Sequence, residues 1–192
     1  SQFPITQTSV FLNHAAAGPI PLMARDAVCD LLTDHAQNGV TNHDSWLRDQ
    51  ARVRRQVAAL VSGSSEAVAF VQNTSSGLSL AANGIRWKPG DNVVIPACEF
   101  PSSVYPWMNL EHFGVELRRV ESALGFATPD DIGAAIDGRT RAVSMSFVQF
   151  SNGHRNQLAS VGEICRQRGP LFVVDGTQGV GALKLNVADC GI

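Results

Sequence analysis

Two kinds of apolar pattern alternate along the chain: long segments in which apolar residues recur every three to four positions, and short runs of consecutive apolar residues. The first pattern predicts amphipathic helices, and the second predicts buried strands. Strands that alternate with helices are typical of βαβ units, which pack their helices around a largely parallel sheet. The pattern therefore predicts an α/β fold.

Local signals set the bounds of the predicted elements. Pro21 and Gly39 bracket the first helix, because proline favours a helix start and glycine favours a helix end. Thr128 and Pro129 begin a later helix as a capping residue followed by proline at the first helical position. We predict helices over residues 22–38, 44–62, 102–113, 128–136 and 158–168 and one after the polar turn 72–77, and strands over 67–71, 92–95, 115–120, 141–148 and 171–174.

The charge of the chain is small and evenly distributed. Fifteen Lys and Arg residues against seventeen Asp and Glu residues give a net charge of −2, without blocks of like charge. This balance argues against a surface for nucleic acid or an anionic membrane, which needs clustered positive charge. No apolar run approaches the roughly 18 residues of a membrane span, and residues 1–10 lack a secretory signal. We therefore expect a soluble, cytoplasmic protein.

The four cysteines, at positions 29, 98, 165 and 190, are widely spaced and form no C-x-x-C pair. In a chain of 192 residues, long enough for a full hydrophobic core, such cysteines are expected to be reduced and to serve packing. The histidine spacing fits no zinc pattern, so we expect no metal site. Residues 188–191 do not resemble a natural end, and we expect the sequence to be the first part of a larger protein.

A polar turn follows the apolar run 67–71 and precedes a helical segment. Its residues Asn73, Thr74, Ser75 and Ser76 combine hydroxyl and amide groups with the free N–H groups of a helix start, which suits a phosphate dianion. The turn is not a P-loop, since G-x-x-x-x-G-K-[ST] is absent. The alternative is that Thr74 or Ser75 only caps the helix.

Asp175 ends the apolar run 171–174, which predicts a fully buried strand. A carboxylate in that position is poorly solvated and needs a cationic or hydrogen-bonding partner. A protonated ring nitrogen meets this need, because an opposite charge shifts a pKa by about 1 to 3 units. The alternatives are an aspartate that caps a helix and, for the glycines of 176–181, a dinucleotide-binding turn, although their order is G-x-x-G-x-G.

A third loop lies between these two in sequence, and Phe100 is its aromatic residue. A phenylalanine in a loop either packs in the core or lies flat against an aromatic ligand. Considered together, the three loops offer a phosphate cradle, a ring face and an anion for a ring nitrogen. These are the parts that a pyridoxal 5′-phosphate site requires of its protein.

Four motifs make a family resemblance specific: residues 11–19 (FLNHAAAGP), 73–75 (NTS), 99–107 (EFPSSVYPW) and 173–178 (VVDGTQ). In order and approximate spacing they resemble class V aminotransferases, a family that includes cysteine desulfurase-like enzymes, and the likeness covers nearly the whole chain. The resemblance implies the large domain of type I pyridoxal-phosphate enzymes, a three-layer α/β/α fold with a mainly parallel mixed sheet. It also implies an N-terminal arm and helix over residues 1–45 and a partial cofactor-binding domain over residues 46–192.

The resemblance assigns roles to single residues. Thr74 and Ser75 resemble the phosphate-binding pair, and Asp175 resembles the catalytic partner of the ring nitrogen. Gln178 resembles the residue that hydrogen-bonds the phenolic oxygen of the ring. Phe100 takes the ring-stacking position, which is histidine in the desulfurases. Histidine can move protons there, whereas phenylalanine can only stack.

Residues 148–153 also depart from the family pattern. Phe150 falls where desulfurases carry an asparagine that contacts the cofactor. We assign Gln149 to the cofactor site in its place, with Asn152 as the alternative.

The resemblance further implies a Schiff-base lysine roughly two dozen residues after the aspartate motif, beyond Ile192. Lys88 and Lys184 lack the sequence context of that lysine. We therefore expect the chain alone to be inactive.

The function that the resemblance implies is that of a pyridoxal-phosphate enzyme of the aminotransferase class V type, a homodimer that acts on an amino acid or amine. Phe100 disfavours desulfurase chemistry and leaves transamination, racemisation and elimination open. One alternative is a lyase similar to cysteine desulfurase or selenocysteine lyase. The others are a non-catalytic α/β module that binds a phosphate ligand and a nucleotide-binding domain at residues 176–181.

Overall fold

A computed structural model describes all 192 residues, which form two compact units, residues 1–54 and residues 55–192. The first unit contains a short 3₁₀ helix (Pro4–Gln7), helix α1 (Leu22–Asn38) and the first part of helix α2 (His43–Leu60). Helix α1 confirms the prediction over residues 22–38, and α2 lies within two residues of its predicted bounds. No helix combines the length and the apolar character that crossing a membrane requires.

Asp34 organises the turn between α1 and α2. Its carboxylate accepts hydrogen bonds from Asn38 Nδ2 at 2.7 Å, Asn42 Nδ2 at 2.6 Å and Trp46 Nε1 at 2.9 Å. These donors, Asn38 foremost, hold the pKa of Asp34 below its usual range. The ring of His35 stacks on that of Trp46 with 4.7 Å between centroids. The polar side chains of this turn therefore fix the helix pair.

The second unit is built on a four-stranded sheet in the order β2-β1-β3-β4, in which all neighbours are parallel. The strands are β1 (Asn92–Pro96), β2 (Glu116–Val120), β3 (Thr140–Ser146) and β4 (Leu171–Asp175). The helices are α3 (Thr74–Gly84), α4 (Tyr105–Met108), α5 (Pro129–Ala135) and α6 (Leu158–Arg168), with 3₁₀ helices at Ser65–Ala67, Pro101–Ser103 and Asn109–Phe113. These four strands and helices α3, α5 and α6 confirm the corresponding predictions.

Helices cover both faces of the sheet, which confirms the three-layer α/β/α arrangement. Successive side chains of a strand point to opposite faces. Val93 and Ile95 of β1 belong to a core cluster with residues of α3 and α4, whereas Val94 belongs to a second cluster with residues of α5 and α6. All three side chains are fully buried. The loops that leave the strands at their carboxyl ends therefore meet at one edge of this core.

The single helix predicted over residues 102–113 is wrong. The segment consists of three pieces instead: the 3₁₀ helix Pro101–Ser103, the one-turn helix α4 and the 3₁₀ helix Asn109–Phe113. Pro106 explains the interruption, because proline donates no backbone hydrogen bond and restricts the residue before it. The buried Trp107 nevertheless anchors this segment to the core.

The predicted strand 67–71 is also absent. Residues 65–67 form a 3₁₀ helix, residues 68–71 pair with no strand, and Phe70 and Val71 are 47% and 46% exposed. Strand β4 has its predicted position but is not fully buried, since it lies at an edge of the sheet and Leu171 is 57% exposed. An apolar run predicts burial, but a strand is buried only where other elements cover both of its faces and both of its edges.

Gly162 is required for the packing of α6, and its replacement by alanine should destabilise the second unit. A Cβ atom at this position would overlap the carbonyl group of Cys190. Alanine gains about 0.5–1 kcal/mol over glycine within a helix, but overlap with backbone costs about 1–3 kcal/mol or more. We expect Gly162→Ala to lower the free energy of unfolding by about 2 kcal/mol, measured by urea denaturation.

The control is Gly133→Ala in α5, where the nearest atom to a new Cβ is 3.6 Å away on Ile164. This is an ordinary van der Waals distance, so the control variant should be as stable as the native protein or slightly more stable. Equal stability of the two alanine variants would show that the close approach of α6 to Cys190 has no energetic importance.

Candidate functional site at the carboxyl edge of the sheet

Asp175 and the turn at Thr74 lie at the same cleft. Asp175 is the last residue of β4, and Thr74 is the first residue of α3. The hydroxyl oxygens of Thr74 and Thr177 are 3.2 Å apart, and these residues and Asp175 line a cleft of about 330 Å³. The two groups that the sequence hypothesis needs side by side are therefore neighbours in the fold.

The helix cap at the start of α3 is Asn73. Its side-chain oxygen accepts a hydrogen bond from the N–H of Ser76 at 2.9 Å. The alternative that Thr74 or Ser75 serves as the cap is therefore wrong. The first N–H groups of a helix have no acceptor within the helix. The hydroxyl groups of Thr74 and Ser75 thus stand at a helix start that attracts an anion.

The carboxylate of Asp175 is held by two hydrogen bonds and has no cationic partner. Ser103 Oγ donates to Oδ2 at 2.7 Å, and the N–H of Thr177 donates to Oδ1 at 2.9 Å. No lysine, arginine or histidine forms an ion pair with Asp175. The carboxylate is therefore oriented by its neighbours while its charge remains uncompensated.

The residues after Asp175 form turns, and no helix begins there. A capping role for Asp175 and a dinucleotide-binding turn over residues 176–181 both require such a helix. Both alternatives are therefore wrong. Gln178 lies within these turns, three residues after Asp175.

Phe100 lies in the loop after β1, where its ring is 47% exposed. It contacts Phe150, with 5.0 Å between ring centroids and 80° between ring planes. The alternative of a core phenylalanine is therefore wrong for Phe100. The hydrogen bond between Ser103 and Asp175 ties the same loop to the end of β4. The ring pair thus belongs to the loops that surround the cleft.

Gln149 is 1% exposed and lies beneath this surface against Glu99. Gln149 Nε2 donates to Glu99 Oε1 at 2.8 Å, and Gln149 Oε1 is buried without a hydrogen-bond partner. Asn152, the alternative residue, is exposed and donates to the carbonyl oxygen of Gly125 at 3.0 Å. Of the two residues, Gln149 has a side-chain oxygen without a hydrogen-bond partner, whereas the side-chain oxygen of Asn152 accepts from the N–H of His154.

Glu99 is a buried carboxylate, 7% exposed, that accepts hydrogen bonds from Ser146 and Gln149. Burial raises the pKa of Glu99 above its usual range, and the charge of Asp175 raises it further. The hydrogen bonds from Ser146 and Gln149 oppose this increase. Glu99 is therefore a titratable group in the interior beside the cleft.

The raised pKa of Glu99 makes folding stability depend on pH. Its contribution is fully present below the ordinary value of 4.5 and is lost as the pH rises through the higher pKa of the folded protein. Glu99→Gln removes this titration. We therefore expect the stability of the variant, relative to the native protein, to increase as the pH rises above 4.5. Urea unfolding across this range measures the difference, and a difference independent of pH would contradict the expectation.

Sequence reasoning missed four residues of the site: Glu99, Ser103, Ser146 and Thr177. Ser103 and Thr177 bind Asp175, and Glu99 binds Ser146. The sequence contains a partial indication of these residues, because all four lie at the end of a strand or shortly after it. Such positions meet at the carboxyl edge of a parallel sheet.

The groups that line the cleft and those of the loops beside it together suit one composite ligand. The start of α3 offers N–H and hydroxyl groups to an anion, and Asp175 offers an uncompensated charge to a cation. Phe100 and Phe150 offer aromatic surface. A flat cationic ring with a phosphate tail matches this set.

Comparison with known proteins finds a family model and curated relatives that match most of the chain. The model of the family described as "Aminotransferase class-V" matches residues 10–192. A probable cysteine desulfurase of Methanothermobacter thermautotrophicus is 30% identical, and the match covers 98% of this chain and 48% of that protein. The chain spans about half the length of the curated relatives it matches.

Two solved structures share the fold. A C-DES mutant with glycine covalently linked to its PLP cofactor has a TM-score of 0.90 and 21% identity, covering 100% of this chain and 52% of that chain. Cysteine desulfurase CsdA of Escherichia coli has a TM-score of 0.86 and 21% identity, covering 100% of this chain and 51% of that chain. At such identity the likeness establishes the architecture of the sheet and its helices.

Proposed function

The chain belongs to the aminotransferase class-V family, and we propose that the protein containing it binds pyridoxal 5′-phosphate at the carboxyl edge of the sheet and acts on an amino acid or amine. Thr74 and Ser75 would bind the phosphate, Asp175 the ring nitrogen and Phe100 the ring face. Gln178 would donate a hydrogen bond to the phenolic oxygen of the ring. Gln149 would be a further residue of the cofactor site. When bound, the cofactor supplies an electron sink for negative charge on the substrate.

The observation that carries this proposal is the uncompensated Asp175 carboxylate beside the start of α3. The partly buried carboxylate has two hydrogen-bond donors but no cation of the chain beside it, so its charge is available to a cationic ligand. A protonated ring nitrogen is such a cation. The anionic tail of the same ligand would then reach the hydroxyl groups of Thr74 and Ser75.

The chain's own residues orient and charge the site. Asp175 would hold a proton on the ring nitrogen, since an adjacent negative charge favours the protonated form. Ser103 and Thr177 keep the carboxylate in one orientation by donating to its two oxygens. Phe100 would cover the ring face and exclude water from it, but it cannot accept or donate a proton.

The covalent lysine would come from outside these 192 residues. Lys88 lies just before β1, at the amino edge of the sheet, and Lys184 lines a separate cleft at the first turn of α6. Neither lines the cleft at Asp175. The expectation that this chain alone is inactive follows from the same placement.

The second candidate is cysteine C–S cleavage, as in a cysteine desulfurase. It is supported by the family and by the relatives whose names state that activity. Phe100 argues against it, because a residue that only stacks cannot share in the proton transfers for which the desulfurases use histidine. Transamination, racemisation and elimination are therefore the reactions we favour.

We further propose a homodimer and a division into an arm and helix at residues 1–45 and a cofactor-binding domain from residue 46. Helix α1 supports the homodimer, because it has no buried residue and its apolar side chains Met23, Leu31 and Leu32 are between 47% and 66% exposed. Exposed apolar residues of this size are typical of interaction surfaces. We also propose a cytoplasmic location.

Titration of the purified protein with pyridoxal phosphate tests the function. We expect saturable binding with a new absorption band near the visible, and after borohydride reduction a covalent adduct on one lysine. The loaded protein is then incubated with a panel of amino acids, in which keto acid and sulfide are assayed separately. Sulfide from cysteine without an equivalent amount of keto acid would favour the second candidate, whereas sulfide with keto acid would indicate elimination. A protein that never takes up pyridoxal phosphate would contradict the proposal. The remaining interpretation would then be a non-catalytic α/β module that binds another phosphate ligand.

A further inference from the structure

The buried Glu99 carboxylate has no role in the steps described above. It accepts three hydrogen bonds, two from Ser146 and one from Gln149, and no lysine, arginine or histidine forms an ion pair with it. Burial of a carboxylate without a cation costs free energy that an apolar side chain of similar volume would not cost. Glu99 is therefore a candidate for a role other than stability.

One consequence of the Glu99 contacts is that they join two loops. Strand β1 ends at Pro96, and the carboxylate accepts the N–H of Ser146 at the end of β3, at 2.8 Å. The side chain thus takes the place of the backbone acceptor that β1 no longer provides. The loop after β1 is thereby fixed to the end of β3, where the segment that carries Gln149 begins.

A second consequence is that the Gln149 amide has only one possible orientation. Its Nε2 lies 2.8 Å from a carboxylate oxygen of Glu99, and the reversed amide would place two acceptor oxygens together. Gln149 Oε1 must therefore point away from Glu99, where it is buried and without a partner.

The two residues that follow this buried pair form the exposed ring pair. Glu99 and Gln149 are 7% and 1% exposed, whereas their successors Phe100 and Phe150 are 47% and 39% exposed. The buried hydrogen bond between Gln149 and Glu99 and the exposed ring contact between Phe100 and Phe150 therefore link the same two loops at adjacent positions. Any shift between the loops would break both contacts together.

We propose that Glu99 is a positioning residue, whose carboxylate locks the loop after β1 to the end of β3 and so holds the Phe100–Phe150 pair as the aromatic wall of the cofactor site. This inference rests on the proposed function, because it takes the ring pair to face pyridoxal phosphate. Glu99 acts through the two rings and does not itself touch the cofactor.

Two substitutions of Glu99 test the role. Glu99→Leu keeps the approximate volume but leaves the Ser146 N–H and the Gln149 amide without an acceptor. Glu99→Gln can keep all three contacts, since its oxygen accepts from both N–H donors and its amide donates to Ser146 Oγ. We expect Glu99→Leu to raise the Kd for pyridoxal phosphate about tenfold and to weaken the visible circular dichroism of the bound cofactor. Glu99→Gln should stay within about twofold of the native Kd.

A double-mutant cycle separates positioning from general destabilisation. In a Phe100→Leu/Phe150→Leu background, Glu99→Leu should change the Kd by less than about twofold, because the rings it positions are gone. Leu110→Ala, a substitution in the core behind β1, serves as a control that lowers stability without changing the circular dichroism of the cofactor.

Two outcomes would overturn the inference: the same loss of affinity in both backgrounds, or a Glu99→Leu protein that binds the cofactor as the native protein does. Either result leaves the proposed function intact, since that function fails only if the native protein does not bind pyridoxal phosphate.

Discussion

Asp175→Asn should lower kcat/KM about 10- to 1,000-fold with the best substrate of the amino acid panel, while pyridoxal phosphate still binds. The asparagine oxygen can accept from the N–H of Thr177 and its amide can donate to Ser103 Oγ, so the loop retains its shape. It removes the negative charge that favours the protonated ring nitrogen. An opposite charge shifts a pKa by about 1 to 3 units, and the expected loss of rate corresponds to this range.

The measurement is steady-state kinetics, together with the absorbance spectrum of the bound cofactor between about pH 6 and pH 9. Asp189→Asn is the matched control, because it removes the same charge from an exposed carboxylate that does not line the cleft. An Asp175→Asn protein with native kcat/KM and a native spectrum would show that Asp175 does not hold the proton of the ring. The control should match the native protein in both measurements.

The helix bounds are the part of the fold that could be read most accurately from sequence. The predicted ends of α1 and α6 coincide with the observed ends, and each helix stops at a glycine, which is a local signal. Gly169 after α6 adopts φ +96°, a backbone conformation that favours glycine over every other residue. Such a signal depends on the local chain alone and needs no knowledge of distant residues.

The convergence of Thr74 and Asp175 could also be predicted, although 101 positions separate them in the sequence. Both residues lie beside apolar runs interpreted as strands, and parallel strands end at one edge. Thr74 and Asp175 lie at one cleft even though the first of these runs, residues 67–71, forms no strand. Its position before α3 was sufficient, because the helix itself lies against the sheet next to β1.

The Glu99 network could not be predicted, because its hydrogen bonds join residues that are far apart in the sequence. The hydrogen bond from Ser146 to Glu99 joins residues 47 positions apart, and neither residue has a local pattern that indicates the other. Glutamate in a loop is ordinarily exposed. The three-dimensional structure is needed to see that β1 ends before β3 does. The Glu99 side chain then accepts the N–H of Ser146 in place of a backbone carbonyl of β1.

Loss of the hydroxyl groups at the start of α3 should weaken the binding of pyridoxal phosphate about 100-fold or more. The change is Thr74→Val with Ser75→Ala, which removes both hydroxyl groups and keeps the Asn73 cap in place. Hydrogen bonds to charged groups contribute about 1.5–3 kcal/mol each, so two such bonds account for at least this factor. Fluorescence titration of the protein with pyridoxal phosphate gives the Kd.

Pyridoxal without the phosphate distinguishes the cause of this loss. If Thr74 and Ser75 bind the phosphate, the double variant binds pyridoxal as the native protein does and loses affinity only for the phosphorylated form. Ser79→Ala, one turn further along α3, is the control and should leave both affinities unchanged. An equal loss for both ligands would mean that the substitutions distort the cleft, and the assignment of this helix start to the phosphate would then be wrong. Inorganic phosphate should compete with pyridoxal phosphate in the native protein and not in the double variant, because the two anions would occupy the same N–H and hydroxyl donors.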